Sequence, residues 1–391
     1  MKILTIAATP FFSDRGCHIR IYNEAKYLEK LGARTRLCTY HIGEDIPRLG
    51  IVRIKGPKGY KKASPGFSWG KIWLDFKLLF LVRREIRSFQ PDAIHAHLYE
   101  GLAIGYLAKK LAWRKNIPVV FDLQGNIDEE FASYSQKNSV AQKFFVWLSR
   151  KIIDWADKIV VSSENVICRC PTPTTVIKDG VDKDLFKNPQ NLSKEELEKI
   201  KKIKKWAGDS KLLVYVGGLS DNKGIGDLLK SFSKVRPFSP RRHVGVPQGQ
   251  TLKKSWKLLI GGFGKDEGKY KKFIKENDLN GDVYFAGKVN YFSLPHYLAL
   301  ANAGIDPKKN STESSGKLMN YMAAGLPVIC FDNQLNRARL GEKGFYLKSF
   351  NDLPEILTDI KNAEKIDYDL ESLSEEKEAR KLFEILKSLT K

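Results

Sequence analysis

Two segments in the C-terminal half of the chain combine glycine, lysine and an expected helix start. The first, Tyr215-Val-Gly-Gly-Leu-Ser-Asp-Asn-Lys-Gly224, leaves an apolar run, passes Gly217 and Gly218, and reaches Lys223 where a helix should open. A cation beside bare backbone amides suits a diphosphate. The second, Glu313-Ser-Ser-Gly-Lys-Leu-Met-Asn-Tyr-Met-Ala-Ala-Gly-Leu-Pro-Val328, is a polar loop, a short helix and a return into a strand. Ser314, Ser315 and Gly316 are good helix-start residues whose amides face an anion, and Lys317 adds charge. Neither segment is a Walker A loop or has G-x-G-x-x-G spacing, and Gly261-Gly-Phe-Gly264 also falls short of it.

The N-terminal half offers Arg15-Gly16-Cys17-His18 at the mouth of a helix, where Gly16 lets backbone approach a ligand. His95 and His97 are two apart at a strand end and point the same way, which is half of a metal site. No third ligand is legible, so no metal is expected. Asp122 is suited equally to orienting a hydroxyl, acting as a base or capping. Asp182-Lys-Asp184 imitates a D-x-D metal motif, but it lies in a loop after a strand and reads as structural.

These groups need elements to hold them. A chain of 391 residues exceeds one core and implies two domains. Short apolar runs alternate with amphipathic segments, the signature of βαβ units and parallel sheets. The runs are Ile3–Ala8, Thr35–Tyr40, Ala93–His97, Pro118–Phe121 and Lys158–Val161, then Leu212–Val216, Lys257–Ile260, Val283–Phe285, Gly304–Asp306 and Pro327–Phe331. Ile21, Ala25, Leu28 and Leu31 share one helical face, and Gly32 follows as a stop. Asn188–Lys205, rich in Lys and Glu, reads as a boundary plus a surface helix. Val235–Ser255 lacks periodicity and reads as a long loop. Leu382, Ile385 and Leu386 make the tail a docking helix. The expectation is an α/β protein: an N-terminal domain over 1–187, a C-terminal domain over 188–365, and a helix over 366–391 docking back toward the first.

In order and spacing these segments resemble the GT-B glycosyltransferases of family 4, a retaining group with many mannosyl- and glucosyltransferases. The resemblance runs from Met1 to about Tyr346. It is carried by the first glycine loop with Arg20 behind it, Pro91-Asp-Ala-Ile-His-Ala-His97, and Val176-Ile-Lys-Asp-Gly-Val-Asp182 followed by Phe186. Then come Val216-Gly…Lys223-Gly224, Val283-Tyr-Phe-Ala-Gly287, and Lys317 through Val328. It implies two Rossmann-like domains facing a central cleft and transfer of a sugar from a nucleotide diphospho-sugar, with no cofactor and no metal.

The same resemblance implies catalytic roles for Lys223, Asp122 and Gln124. It implies substrate binding by Gly16, His18, Arg20, His97, Gly217, Gly218, Glu313, Ser314, Ser315, Gly316, Lys317 and Asn320, with His97 and Glu100 facing the acceptor. Three positions depart from the family pattern. Gly218 stands where an arginine is common, Asn320 where an acid usually grips the ribose, and Gln124 where a histidine is frequent. They motivate an alternative, a glycosyltransferase-like subunit that binds without turnover. A GT-B epimerase would bring further acids and histidines that the chain lacks.

With 67 Lys+Arg against 45 Asp+Glu, the formal charge of +22 predicts an anionic partner. No RNP, KH, zinc-finger or helix-turn-helix pattern accompanies it, so nucleic acid is not expected. From Arg53 to Arg87 ten basic residues and two acids interleave with Tyr60, Phe67, Trp69, Trp73, Phe76 and Phe80. That mixture suits an anionic bilayer surface, with Lys143–Lys151 in support. Five scattered cysteines point to a reducing compartment. The opening apolar run is too short for a signal peptide, and no run spans a membrane. The expected setting is cytoplasmic, peripheral to the membrane, with a lipid-linked or saccharide acceptor.

Overall fold

The structure is a computed structural model and describes residues 1–12, 16–56, 69–125, 140–164, 166, 172–235, 256–309, 315–360 and 364–390. The chain divides into two compact units, Met1–Gly180 with Ser374–Lys391, and Val181–Ser311 with Ser315–Leu373. The change of unit falls at Gly180, ahead of the boundary expected at Asn188, because the turn after it belongs to the second unit. Of the long loop Val235–Ser255, residues 236–255 lie outside the described residues.

The first unit is built on seven parallel strands: β1 (Lys2–Ala7), β2 (Arg34–Thr39), β3 (Ile51–Arg53), β4 (Ala93–His97), β5 (Val119–Leu123), β6 (Lys158–Val161) and β7 (Thr174–Val176). Their order is β3-β2-β1-β4-β5-β6-β7, so the winding reverses between β1 and β4. The central strands are buried on both faces, as a sheet covered by helices on both sides requires, and they carry the polar residues Thr5, His95, His97 and Asp122 inside. Helices α1 (Gly16–Lys30), α2 (Trp69–Phe89) and α3 (Leu98–Leu111) supply part of that cover. Helix α3 lies close to the sheet because Gly101 and Gly105 face it. A Cβ on Gly105 would come within 3.0 Å of Ile6 Cδ1 and 3.2 Å of Ile94 Cγ2.

The C-terminal helix Glu375–Ser388 packs on α1, burying Leu382 and Leu386 with Ile3, Leu28, Ala93 and Val160. Its Glu378 and Glu375 accept the backbone N–H groups of Lys178 and Gly180. The end of the first unit is thereby tied to a helix from the far end of the chain.

The second unit has six parallel strands: β8 (Lys211–Val216), β9 (Trp256–Gly261), β10 (Val283–Gly287), β11 (Ala303–Asp306), β12 (Val328–Phe331) and β13 (Gly344–Leu347). The order β10-β9-β8-β11-β12-β13 reverses between β8 and β11. All ten expected strands are present. Three edge strands, β3, β7 and β13, were not legible. Among the described residues no helix is long and apolar enough to cross a membrane.

Candidate active site

In doubly wound sheets ligands sit beyond the strand ends where the winding reverses. In the second unit that place lies between the ends of β8 and β11. The helix Gly316–Ala323 is fastened there by Tyr321, whose hydroxyl accepts from Val216 N at 3.1 Å and donates to Ile305 O at 3.3 Å. Tyr321 lies flat on the sheet because Gly304 beneath it has no side chain; a Cβ there would be 2.5 Å from Tyr321 Cγ.

The fastening sets Lys317 at the strand ends. Its Nζ is 3.2 Å from Asp306 Oδ1, 3.3 Å from Ser315 Oγ and 5.9 Å from the centre of the Tyr215 ring. Burial opposes ionisation of Asp306, but Lys317 and the hydrogen bonds around the carboxyl overcome it and hold its pKa below the usual carboxylate range. Gly217 lies against this pair: a Cβ on it would meet Tyr215 Oη at 2.8 Å and Lys317 Cε at 2.9 Å. Tyr215 donates its hydroxyl to Gly218 O at 2.8 Å, fixing the glycine turn. Next to Gly218 a Cβ would find open space.

Lys223 ends a short turn, Asp221–Lys223, and is half-buried. Gly224 follows with φ +77°, and a Cβ there would come within 2.1 Å of Pro307 O. The glycine therefore allows the loop after β8 to touch the loop after β11, bringing Lys223 to the same end of the sheet as Lys317. Gly316 is exposed at the helix start, and Ser315 lends that start no side-chain cap. Asn320 is half-buried one turn further along. Glu313 and Ser314 lie outside the described residues.

The first unit buries several of the expected site residues. His18 is fully buried, hydrogen-bonded to Thr9 Oγ1 at 2.8 Å, and so faces the fold. Arg20 is also buried. Its guanidinium forks onto Asp122 through Nε (2.9 Å) and Nη2 (3.0 Å), and Nη1 donates to Asp179 (2.8 Å) and Ile177 O (3.0 Å). These contacts, with Glu24 at 3.0 Å from Nη2, engage the guanidinium within the fold. Asp122 is buried and accepts from Arg20 and Gln124, with His97 Nδ1 also bonded to it. Burial raises its pKa, but Arg20 and His97 more than offset this and hold it far below the usual range. Glu100 pairs with Lys71, and His97 Nδ1 bonds Asp122 at 2.9 Å. Gln124, half-buried, donates to the same carboxylate at 2.9 Å and is the outermost member of this group. Gly16 begins α1.

The sequence missed a third residue beside the two histidines. Glu24 of α1 brings Oε2 to 3.7 Å from His97 Nε2 and 3.9 Å from His95 Nε2, with all three side chains essentially inaccessible. Burial, against the pull of Arg20, raises the Glu24 pKa well above the ordinary value, and burial with His97 nearby lowers that of His95. A single acid on an amphipathic helix gave no signal. Asp182 caps the helix Lys183–Lys187 by accepting from Leu185 N, the structural role expected of it.

On the outer side of α2, Ile72, Trp73, Phe76 and Phe80 are each about half exposed (47–51%). Trp73 stacks on Phe76 and Phe76 meets Phe80 edge-on, while Lys77 lies 5.2 Å from the Trp73 ring. The inner side carries Leu74, Leu78, Val82 and Ile86 into the core. The helix is thus both packed and apolar outward. Residues 57–68 of the expected surface lie outside the described residues.

Known families and structures match this arrangement. Residues 15–185 match the model of Glycosyltransferase Family 4, and residues 196–384 that of Glycosyl transferases group 1. No curated protein matches the chain in sequence. Among solved structures, Anabaena Alr3699/HepE in complex with UDP and glucose is similar with a TM-score of 0.70 at 16% identity, covering 99% of this chain and 100% of that one. Sucrose-phosphate synthase from Thermosynechococcus elongatus is similar at 0.68 and 16%, covering 100% and 96%. WaaG, a glycosyltransferase involved in lipopolysaccharide biosynthesis, is similar at 0.61 and 13%, covering 99% and 97%.

Proposed function

The chain belongs to the group 1 glycosyltransferases, with a family 4 N-terminal half and the GT-B type of fold, and from that premise we propose what it transfers and how. It moves a sugar from a nucleotide diphospho-sugar to a glycolipid or cell-surface polysaccharide precursor, with retention at the anomeric carbon. The observation that carries the donor site is the placement of Lys317 beside Gly217 at the β8/β11 reversal. A nucleoside diphosphate leaving group gathers negative charge as the glycosidic bond breaks. Lys223, Lys317 and the amides of the Gly316 helix start stabilise that charge without a metal at the diphosphate. Asn320, through its amide, takes the place of the acid that would otherwise accept the ribose hydroxyl.

The test is a thermal-shift panel with UDP, GDP, ADP, CMP and dTDP, each with and without magnesium. UDP comes first because a similar solved structure holds UDP and glucose. A midpoint raised by one diphosphate, indifferent to magnesium, is the expected result. A second reading, a binding subunit without turnover, is favoured by Gly218, Asn320 and Gln124. A shift without any release of diphosphate from the matching nucleotide sugar would select it, and no shift at all would remove the donor site.

The acceptor is lipid-linked and reached from the membrane surface. The half-exposed aromatic side of α2, flanked by Lys77, Arg84 and Arg87, supports peripheral attachment to an anionic leaflet.

A further inference from the structure

Three ligand-type atoms converge in the first unit with nothing to bond. His95 Nε2, His97 Nε2 and Glu24 Oε2 are buried, lack hydrogen-bond partners, and all lie within 4.8 Å of one another. His97 Nδ1 lies 2.9 Å from Asp122 Oδ2 and 3.3 Å from Gln124 Nε2, so its polar contacts are on that side and Nε2 is the ring atom turned toward Glu24. A buried polar atom without a partner is costly, and three in one place require an explanation.

The surrounding charge points to a cation. Arg20 faces Asp122, Asp179 and Glu24 directly, and Glu24 also feels the buried Glu375. One guanidinium thus stands among three carboxyl groups. A divalent ion between His95, His97 and Glu24 would give the three unpartnered atoms a common partner.

We propose that Glu24, His95 and His97 form a binding site for a divalent transition-metal ion, zinc by the type of its ligands. Two imidazole nitrogens and one carboxylate oxygen are a common zinc set. Zinc bonds of about 2.0–2.2 Å put tetrahedral ligand atoms about 3.4 Å apart, close to the 3.7 and 3.9 Å found here. Asp122 behind His97 is the carboxylate that orients a metal-bound histidine in such sites. Thr5, register partner of His95 in β1, adds a buried hydroxyl without a partner beside the site, suited to hold a water as fourth ligand. The ion would join α1 to β4 inside the first unit. With ligands this inaccessible, it is taken up on folding and does not exchange substrate.

The experiment uses the full chain, free of any histidine tag, produced with added zinc and desalted. About one zinc per chain is expected by elemental analysis. Replacement by cobalt should give the visible absorption of a four-coordinate centre, and chelation should lower the thermal midpoint. Glu24→Gln, which keeps an acceptor for Arg20, and His95→Asn should each lose the cobalt absorption while retaining the circular dichroism of the parent. A folded parent chain that retains neither zinc nor cobalt overturns the proposal, as do folded variants that keep full stoichiometry. Should a variant fail to fold, the parent's metal content decides alone.

Discussion

Lys317 Nζ stands 3.2 Å from Asp306 Oδ1 at the reversal of the second sheet, so the lysine offered to a diphosphate is held by a buried carboxylate. The pair keeps the cation in position before any ligand arrives. It also makes the two residues depend on one another.

Lys317→Met should therefore fail in two ways. Loss of the cation weakens UDP binding by about tenfold or more, on the order of one charge-assisted contact. Loss of the partner leaves Asp306 buried and uncompensated, which costs about 3–5 kcal/mol. In the parent the depressed pKa of Asp306 adds stability above the unfolded value, lost as pH falls through the folded one. In the variant only the hydrogen bonds from Ser315 and Lys308 remain to oppose burial, so that pKa rises. The melting deficit should be widest near neutral pH and shrink on acidification; a pH-independent deficit would contradict this account.

Gly218→Arg is expected to gain function. The family pattern places an arginine at this position, and here a Cβ would meet nothing within 4 Å. Gly218 is not among the positive-φ glycines, so a side chain brings no left-handed strain. An added guanidinium beside Gly217 should tighten diphosphate binding several-fold with little change in melting temperature. Isothermal titration with UDP reads the gain, and weaker binding would mean that the glycine turn does not face the phosphates.

Asp75 gives the first unit a pH dependence of its own. Burial, partly offset by the hydrogen bond from the Tyr40 hydroxyl, raises its pKa to about 7. An unfolded aspartate titrates near about 3.9. Between these values the folded chain holds a proton that the unfolded chain has lost, so stability falls as pH rises through this window. Asp75→Asn keeps an acceptor for Tyr40 and cannot ionise. Its melting temperature should exceed that of the parent at pH 8, with the gap closing toward pH 4; equal curves at both pH values would sink the assignment.

The central strands were legible because both their faces are buried, which turns them into unbroken apolar runs such as Leu212–Val216. The missed strands are three- and four-residue edges: β3 is half-buried throughout, and β7 and β13 carry intermediate or exposed positions. The loop after β8 was legible for a local reason, since Gly217, Gly218 and Lys223 are close in sequence. Glu24 was not, because only the docking of α1 on the sheet brings it to His95 and His97. The pairing of Arg20 with Asp122 was not legible either, because the two are far apart in sequence and only the fold turns each onto the other.

The outward side of α2 yields the last expectation. Folding leaves Trp73 and Phe76 stacked and half exposed, so neither contributes much to the core behind Leu74 and Leu78. The double variant Trp73→Ser/Phe76→Ser should melt close to the parent, as surface changes usually stay within about 0.5 kcal/mol. Its binding to anionic vesicles, measured by co-sedimentation, should fall by tenfold or more, because the rings supply the apolar burial on which attachment depends. Lys77→Gln/Arg87→Gln removes charge and keeps the rings. Each cation near an anionic surface is worth about 1 kcal/mol, so this variant should lose affinity for anionic vesicles and become less sensitive to salt. Separation of the two effects identifies the helix as a membrane-facing element. A parent chain that ignores both anionic and neutral vesicles would remove the lipid surface from the proposed function and leave a soluble saccharide as the acceptor.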